Sequence, residues 1–241
     1  MKRIKSILGI PKKDIREVCV LIPFISRYIL NNFGIDKMSK GWPYLSASTK
    51  YFTLIYTRVG TTFVGDAVLC LQQTRCKYLF FIGTCGLVLY KKSDINIGDI
   101  VLPSTSWAME SFSQLLKGEF ELAQKSMPDK FLMDECKKYF NKGEIHMVSS
   151  ATMGSLQMEE ESISFFKKKD IRVVDMETSA FLNAAAKTNK KATALLVVSD
   201  IIKEVPFYEK QTKQNKKDIQ YAIRKTINAV TYLAKRLSCD G

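Results

Sequence analysis

Residues 171–200, IRVVDMETSAFLNAAAKTNKKATALLVVSD, contain the pattern that decides the fold. The short apolar run 171–174 predicts a strand, the alanine-rich stretch 178–187 a helix, and the apolar run 192–198 a second strand. Strands that alternate with helices in this way favour an α/β sandwich with a largely buried sheet.

The same alternation extends toward the amino terminus. Apolar patterns predict further strands at residues 17–22, 51–57, 77–82, 98–102 and 144–149. Helical spacing predicts helices at residues 24–32, 131–140 and 159–168, a helix that carries Val64, Ala67, Val68 and Leu71 on one face, and a final helix with an apolar stripe from Ile219 to Ala234. No linker or internal repeat divides the pattern, so we expect a single domain over residues 1–241.

Composition excludes several classes of protein. The chain of 241 residues is 46% apolar and 25% charged, which is ordinary for a globular protein. It has no apolar run of 18 residues, so we expect no membrane span. The basic start is followed by an apolar run too short for a secretory signal, and we therefore expect a cytoplasmic protein.

The net charge of +13 admits a nucleic-acid partner or an anionic substrate. The lysines are scattered, however, and the richest run, residues 167–169, falls at the end of a predicted helix. Few aromatic residues alternate with them as a stacking platform requires. A solvated basic surface is the favoured interpretation, and we expect no nucleic-acid partner.

The cysteines and the single histidine predict no metal site. Cysteine spacing is not of the zinc or redox type, and most of the thiols fall in apolar segments, where they behave as small hydrophobes: Cys19, Cys70, Cys76, Cys85, Cys136 and Cys239. His146 alone cannot form a two-histidine zinc site, and it makes a serine–histidine triad a poor hypothesis.

Two strand ends carry small residues that suit an anion. They are residues 60–62, Gly-Thr-Thr, and residues 83–86, Gly-Thr-Cys-Gly. Small side chains let backbone amides approach an anion, and a threonine hydroxyl adds a donor. Neither segment matches the dinucleotide or P-loop patterns, and tight turns without a ligand remain the alternative.

Two acids follow neighbouring predicted strands. Glu177 lies where the strand at 171–174 meets the alanine-rich helix, and Ser199 and Asp200 end the next strand. In α/β folds, ligands bind at the carboxyl ends of strands. The pair suits a sugar-binding acid and a general acid, although either alone could cap a helix.

Four segments in register resemble the purine and uridine phosphorylase superfamily. They are GTCG at 83–86, GDIV at 98–101, VDME at 174–177 and SD at 199–200. Their order and spacing are similar to the family pattern from about residue 17 to 237. The resemblance implies a nucleoside phosphorylase-like, three-layer α/β/α sandwich with a mixed central sheet.

The resemblance also implies roles for the two acids. Asp200 would protonate the leaving base with help from Ser199, and Glu177 would accept hydrogen bonds from the ribose hydroxyls while Met176 packs on the sugar. Cleavage of such a bond builds positive charge on the sugar and negative charge on the base. An acid that stays protonated near neutral pH must be poised by burial.

The remaining site residues follow from the same resemblance. The implied phosphate-binding residues are Thr84, Gly60, Arg27 and Arg58. The implied base-binding residues are Met153, Ser155, Leu156, Cys85 and Gly86. We expect inorganic phosphate as co-substrate, no other cofactor and no metal.

The chain departs from the family pattern in its cations. Phe81 stands where phosphorylases of this family place an arginine three residues before the Ser/Thr of the glycine motif. The usual Gly-Asp-Pro-x-Arg segment leaves only Arg27 as a match, so Arg58, or Lys40 of a neighbouring subunit, would supply a replacement. If Phe81 occupies the emptied anion position, Phe81→Arg should tighten phosphate binding.

These features favour a nucleoside phosphorylase that acts on purine rather than uridine nucleosides. The resemblance of residues 107–113 is to the uridine phosphorylase branch, but the residues that read uracil are absent around 151–157. Loss of the arginine at Phe81 also suits a hydrolytic nucleosidase, although the glutamate that positions its water has no counterpart at 23–27. A nucleoside-binding member without activity is the third hypothesis. Family members form homo-oligomers, and we expect a homodimer or homohexamer with small-molecule nucleoside and phosphate partners.

Overall fold

The computed structural model of the chain describes residues 2–90, 94–118 and 124–239. The strands are β1 (Val18–Ile22), β2 (Ser39–Lys40), β3 (Leu45–Ser48), β4 (Phe52–Tyr56), β5 (Tyr78–Leu87), β6 (Ile100–Met109), β7 (Gln124–Ser126), β8 (His146–Met153), β9 (Val173–Asp175) and β10 (Lys191–Ile201). The helices are α1 (Lys2–Leu8), α2 (Arg27–Asn32), α3 (Thr61–Cys70), α4 (Phe112–Leu116), α5 (Lys130–Tyr139), α6 (Ile163–Lys168), α7 (Thr178–Lys187) and α8 (Lys213–Cys239). None of these helices is both long enough and apolar enough to cross a membrane, within the described residues.

The strands form one mixed sheet, as expected. Its order is β10-β6-β8-β9-β5-β1-β4-β3-β2, with β7 on β6 and a further pairing of β10 with β5. The pairs β1–β4, β1–β5, β5–β10, β6–β8 and β8–β9 are parallel, and β5–β9 and β6–β10 are antiparallel. Because β10 pairs with both β5 and β6, the strands β5, β10, β6, β8 and β9 close into a ring.

Helices cover both faces of the sheet, which confirms the sandwich. On one face, apolar residues of α3 and α7 such as Val68 and Phe181 pack with Leu21 and Phe81 of the strands. On the other face, residues of α2, α5 and α8 pack with the alternate strand residues, among them Val20, Phe80 and Ile82. Successive side chains of β1 and β5 point to opposite faces of the sheet, so the apolar residues of each strand are shared between the two cores.

The prediction that the strand at 77–82 ends in a turn at 83–86 is wrong. β5 continues through these four residues to Leu87 because β10 pairs with it along this length, with Val197 opposite Thr84 and Asp200 opposite Gly86. Interstrand hydrogen bonds therefore hold in an extended form a glycine-rich segment that is typical of a turn.

The sheet splits along the other edge of β5. There β1 pairs with residues 78–81, whereas β9 pairs with Gly86 and Leu87. Neither strand reaches residues 82–85, so this stretch has an open edge between them. Ligands in open α/β sheets bind where neighbouring strands diverge in this way, so this edge is the candidate binding crevice of the fold.

Other elements differ from the prediction at their ends; α2, for example, begins at Arg27 rather than at residue 24. β6 passes through Pro103, where the sequence predicts an end. Pro103 stays in register with Val148, and a bulge directly after it leaves Ser104 as the extra residue before pairing with β8 resumes at Thr105. The helix expected at residues 159–168 begins only at Ile163, and turns occupy residues 157–162.

Candidate active site

Glu177 lies between the end of β9 and the first turn of α7. Its side chain is buried, with 4% of the residue exposed, and its Oε1 accepts a hydrogen bond of 2.6 Å from the Gly60 N–H. Gly60 has φ of 114°, a conformation that favours glycine, and it immediately precedes α3. Burial raises the pKa of Glu177 to about 8, with the Asp175 carboxylate as a second cause. Through this hydrogen bond, the Glu177 carboxyl links the end of β9 to the turn that follows β4.

Asp175 holds the backbone on which Glu177 sits. Its Oδ1 accepts a bond of 2.7 Å from the Thr152 hydroxyl, and its Oδ2 accepts one of 2.9 Å from the Thr178 N–H. The Thr152 hydroxyl oxygen in turn accepts from the Ser179 N–H. Burial raises the pKa of Asp175 to about 6 although these hydrogen bonds lower it. The sequence analysis assigned Asp175 no role, but its position three residues before Thr178 is a helix-capping signal.

Asp200 lies at the carboxyl end of β10, beside a bulge. Val198 pairs with Cys85 and Asp200 with Gly86, so Ser199 is the extra residue. Ser199 Oγ lies 2.6 Å from Asp200 Oδ1 and 3.3 Å from the carbonyl oxygen of Cys85. Asp200 is 6% exposed, and burial raises the pKa of its carboxyl against the lowering effect of Ser199.

Gly86 lies between the two strands at whose ends the predicted acids are found. It pairs with Asp200 on one edge and with Val174, three residues before Glu177, on the other. A Cβ on residue 86 would lie 3.0 Å from Asp200 Oδ2, so only glycine leaves the carboxyl its full space. The structure therefore places the two predicted acids at the ends of β9 and β10, which pair with Gly86 on its two sides.

Thr84 and Cys85 lie in the open stretch of β5. Thr84 is partly exposed, whereas Cys85 is buried. Burial raises the pKa of the Cys85 thiol, and the carboxylates of Asp175, Asp200 and Glu159 raise it further. Thr84 is thus accessible at the open edge of β5, and Cys85 lies near the acids.

The predicted phosphate-binding arginines make contacts elsewhere. Arg27 Nη1 donates a hydrogen bond of 3.0 Å to the Asp36 carbonyl, and Arg58 Nε donates one of 3.2 Å to the Pro43 carbonyl. Both side chains, like that of Lys40 on β2, are exposed. These hydrogen bonds are with loop carbonyls rather than with Thr84 or Gly60.

Phe81 is a core residue. It is 0% exposed, and its ring centroid lies 5.5 Å from that of Phe181 on α7. The side chain fills the apolar layer between β5 and α7. Phe81→Arg was expected to tighten phosphate binding only if Phe81 occupied the emptied anion position. Phe81 lies in the core instead, so this condition is not met.

The predicted base-binding residues after β8 divide into two groups. Met153 and Ser155 are buried, and Met153 belongs to an apolar cluster that also contains Ile202. Leu156 is 41% exposed and lines a cleft together with Asp200 and Ile202. Of the three, Leu156 is the one whose side chain faces the same cleft as the predicted general acid.

The sequence analysis missed Glu159, which lines the same cleft. It is 7% exposed and makes no side-chain hydrogen bond or ion pair with the described residues. The pKa of its carboxyl is raised to about 8, mainly by burial and further by the charges of Asp200 and Asp175. Glu159 begins a run of three glutamates, a pattern typical of a solvated surface, so no sequence signal distinguishes it.

Comparisons with known proteins show the family to which the chain belongs. A family model described as the phosphorylase superfamily matches residues 26–233, and the chain belongs to this family. A DeoD-type purine nucleoside phosphorylase of Bacillus velezensis is 26% identical over 147 residues, which are 59% of this chain and 61% of that protein. The chain thus spans about three fifths of the length of the curated relatives it matches.

Solved structures share the fold. An AMP nucleosidase from Bacteroides thetaiotaomicron has a TM-score of 0.68 at 18% identity, covering 94% of this chain and 95% of its own. A uridine phosphorylase from Vibrio fischeri has a TM-score of 0.71 at 15% identity, covering 92% of both chains. One is a nucleosidase and the other a phosphorylase, so this fold occurs with both hydrolysis and phosphorolysis.

Proposed function

We propose that the protein cleaves the N-glycosidic bond of a purine nucleoside with inorganic phosphate, releasing the base and ribose 1-phosphate. The observation that carries the proposal is the position of two buried carboxyls, Glu177 and Asp200, at the ends of the two strands that flank Gly86. The purine nucleoside phosphorylase among the relatives supports phosphate as the acceptor.

Asp200 is suited to the role of general acid. Breaking the glycosidic bond leaves negative charge on the base, and protonation of a ring nitrogen neutralises it. Burial raises the pKa of Asp200, which favours the protonated form that this step consumes. Ser199, hydrogen-bonded to Oδ1, holds the carboxyl in one orientation.

Glu177 is suited to the ribose. Hydrogen bonds from the ribose hydroxyls, and the positive charge that develops on the sugar as the bond breaks, favour the ionised form of Glu177 in the complex. The resulting carboxylate accepts these hydrogen bonds and stabilises the sugar. The Gly60 N–H fixes one carboxyl oxygen. The partly exposed Met176 next to it supplies an apolar surface for the sugar ring.

Phosphate would bind at the open edge of β5. The Thr84 hydroxyl and the backbone amides of residues 83–86 and of the turn before α3 are the candidate donors. The Gly60 amide is already bonded to Glu177, and Arg27 or Arg58 must leave a loop carbonyl to approach. We propose no further cofactor.

Hydrolysis is the second candidate function. The observation that favours it is the absence of an arginine in the crevice contacts of the described residues: Phe81 is buried in the core and both nearby guanidiniums bond to loop carbonyls. Without a fixed cation, water rather than phosphate would attack the sugar.

We further propose a cytoplasmic location and a homodimeric or homohexameric assembly. The described cysteines Cys19, Cys70, Cys76, Cys85 and Cys136 are free thiols, as in a reducing compartment, and the side chain of Cys239 lies outside the described part. Sedimentation of the purified protein measures the assembly, and a monomer would contradict it.

A panel of nucleosides, incubated with and without phosphate, tests the reaction. We expect release of purine bases only with phosphate, and ribose 1-phosphate as the second product. Base release without phosphate, with free ribose, would establish the nucleosidase instead. If the protein bound nucleosides but released no base, the enzymatic proposal would be wrong.

A further inference from the structure

The cleft beside Asp200 contains a carboxyl that the proposed reaction does not use. Its walls come from the turns after β8, from the end of β10 and from residues 203–208, and it is narrow. Leu156, Glu159, Ile202 and Phe207 contribute to these walls. Glu159 therefore faces the same space as the residue that we propose protonates the base.

The backbone around Glu159 is fixed by its own turn. Its N–H donates to the Leu156 carbonyl, and its carbonyl accepts from the Ser162 N–H at 3.2 Å. The Ser162 hydroxyl donates to the Met158 carbonyl at 2.8 Å. The position of Glu159 is thus set by local hydrogen bonds, while its carboxyl makes none with the described residues.

A buried carboxyl without a partner is costly, and in native structures it calls for an explanation. The groups that act on Glu159 are themselves acids: Asp200, Asp175 and Glu160 all raise its pKa. Glu160 is tied to the Tyr208 hydroxyl at 2.8 Å, and Lys203 on the cleft wall is exposed and forms no ion pair with Glu159. The cleft thus keeps Glu159 as a neutral acid near pH 7.

We propose that Glu159 determines base specificity by a two-point hydrogen bond to the edge of a purine that presents a donor beside an acceptor. A neutral carboxylic acid has one donor and one acceptor side by side, which matches the amino and ring nitrogen of a 6-aminopurine or the ring N–H and oxygen of a 6-oxopurine. An unsubstituted purine lacks this pair. The inference rests on the proposed function, because it needs the base to lie beside Asp200.

The discriminating experiment compares adenosine and inosine with purine riboside. Replacing Glu159 by leucine should lower kcat/KM for the first two by about tenfold or more, the value of one or two buried hydrogen bonds, and change purine riboside much less. Glu159→Gln keeps a donor and an acceptor and should preserve the preference. Glu161→Gln, at an exposed neighbouring position, is the matched control.

The pH dependence separates recognition from a structural role. Wild type should lose preference for the substituted purines as pH rises through about 8, while Glu159→Gln, which cannot ionise, should not. Dividing the wild-type profile by that of the glutamine variant removes the contributions of Asp200, Asp175, Glu177, Glu160, Cys85, Lys203 and Tyr208, which both proteins share.

Binding of free adenine, hypoxanthine and purine, measured by calorimetry, separates the two proposals. If wild type binds the first two more tightly and Glu159→Leu abolishes the difference, the inference holds even if no nucleoside is cleaved. If nucleosides are cleaved but the leucine variant keeps the wild-type preference, the inference is wrong and the proposed function stands. Absence of both binding and cleavage would overturn both.

Discussion

The two sides of the crevice along β5 are built differently. On the acid side, Glu177, Asp200 and Glu159 are buried and lie at the ends of β9, β10 and β8. On the cation side, Arg27 and Arg58 are exposed and bond to loop carbonyls. The carboxyls proposed to act on the base and the ribose are therefore preorganised. A phosphate site that includes a guanidinium would instead require one of the two arginine side chains to move.

The largest expected effect comes from replacing Asp200, the proposed general acid. Asp200→Asn should lower kcat for a purine nucleoside by about 100- to 10,000-fold, because an amide cannot deliver the proton to the leaving base. Steady-state kinetics with adenosine and inosine measure the loss, with Glu161→Gln as the control. Wild-type activity in Asp200→Asn would remove the general acid from the mechanism.

The next effect concerns Phe81 and is one of stability. Phe81→Arg should lower the free energy of unfolding by about 3–5 kcal/mol, because it places a guanidinium in the apolar layer against Phe181. Phe81→Leu should cost only about 1–2 kcal/mol. Urea titration compares the two. A stable Phe81→Arg variant with a lower KM for phosphate would show that this position does reach the crevice.

Glu177→Gln should raise KM for the nucleoside about tenfold and leave the protein folded. The glutamine oxygen still accepts from the Gly60 N–H, so the link across the crevice survives, but one of the two acceptors for the ribose hydroxyls becomes a donor. Unchanged nucleoside affinity, together with an unchanged melting temperature, would rule out a sugar contact.

The buried acids should make the protein less stable as pH rises. Between about pH 5 and 8, Glu159 and Glu177 keep their protons in the folded state and lose them on unfolding. The unfolded state then binds fewer protons, so the free energy of unfolding falls by about 1.4 kcal/mol per pH unit for each group. Glu159→Gln should remove one such contribution. If the free energy of unfolding changes with pH by the same amount in this variant and in wild type, the burial of the Glu159 carboxyl would be contradicted.

The smallest effect is expected on the cation side. Arg27→Gln and Arg58→Gln should each change KM for phosphate by less than about fivefold, because contacts of exposed charges contribute little. Phosphate titrations of both variants test this. A larger increase for either would show that its guanidinium leaves the loop carbonyl and binds phosphate, and the contrast between the two sides would then hold only for the unliganded protein.

Local patterns identified most of the regular elements, but not α1, β2, β3, α4 or β7. Helix α7 spans the predicted residues 178–187, β1 differs from prediction by one residue at one end, and β4 differs by one residue at each end. The misjudged ends, at 83–86 and at Pro103, depend on β10 and on a bulge, which are contacts with residues far away in sequence. Residues of low strand propensity become extended there because a neighbouring strand supplies hydrogen bonds.

The sequence by itself determined the α/β alternation and the two acids at neighbouring strand ends, since periodicity and capping are local properties. Only the tertiary structure decided that Gly86 lies between the strands that lead to these acids, that Phe81 belongs to the core and that Glu159 is buried without a partner among the described residues. Burial and the environment of a charge depend on residues distant along the chain. They therefore follow from the packing of the whole sheet rather than from any short segment.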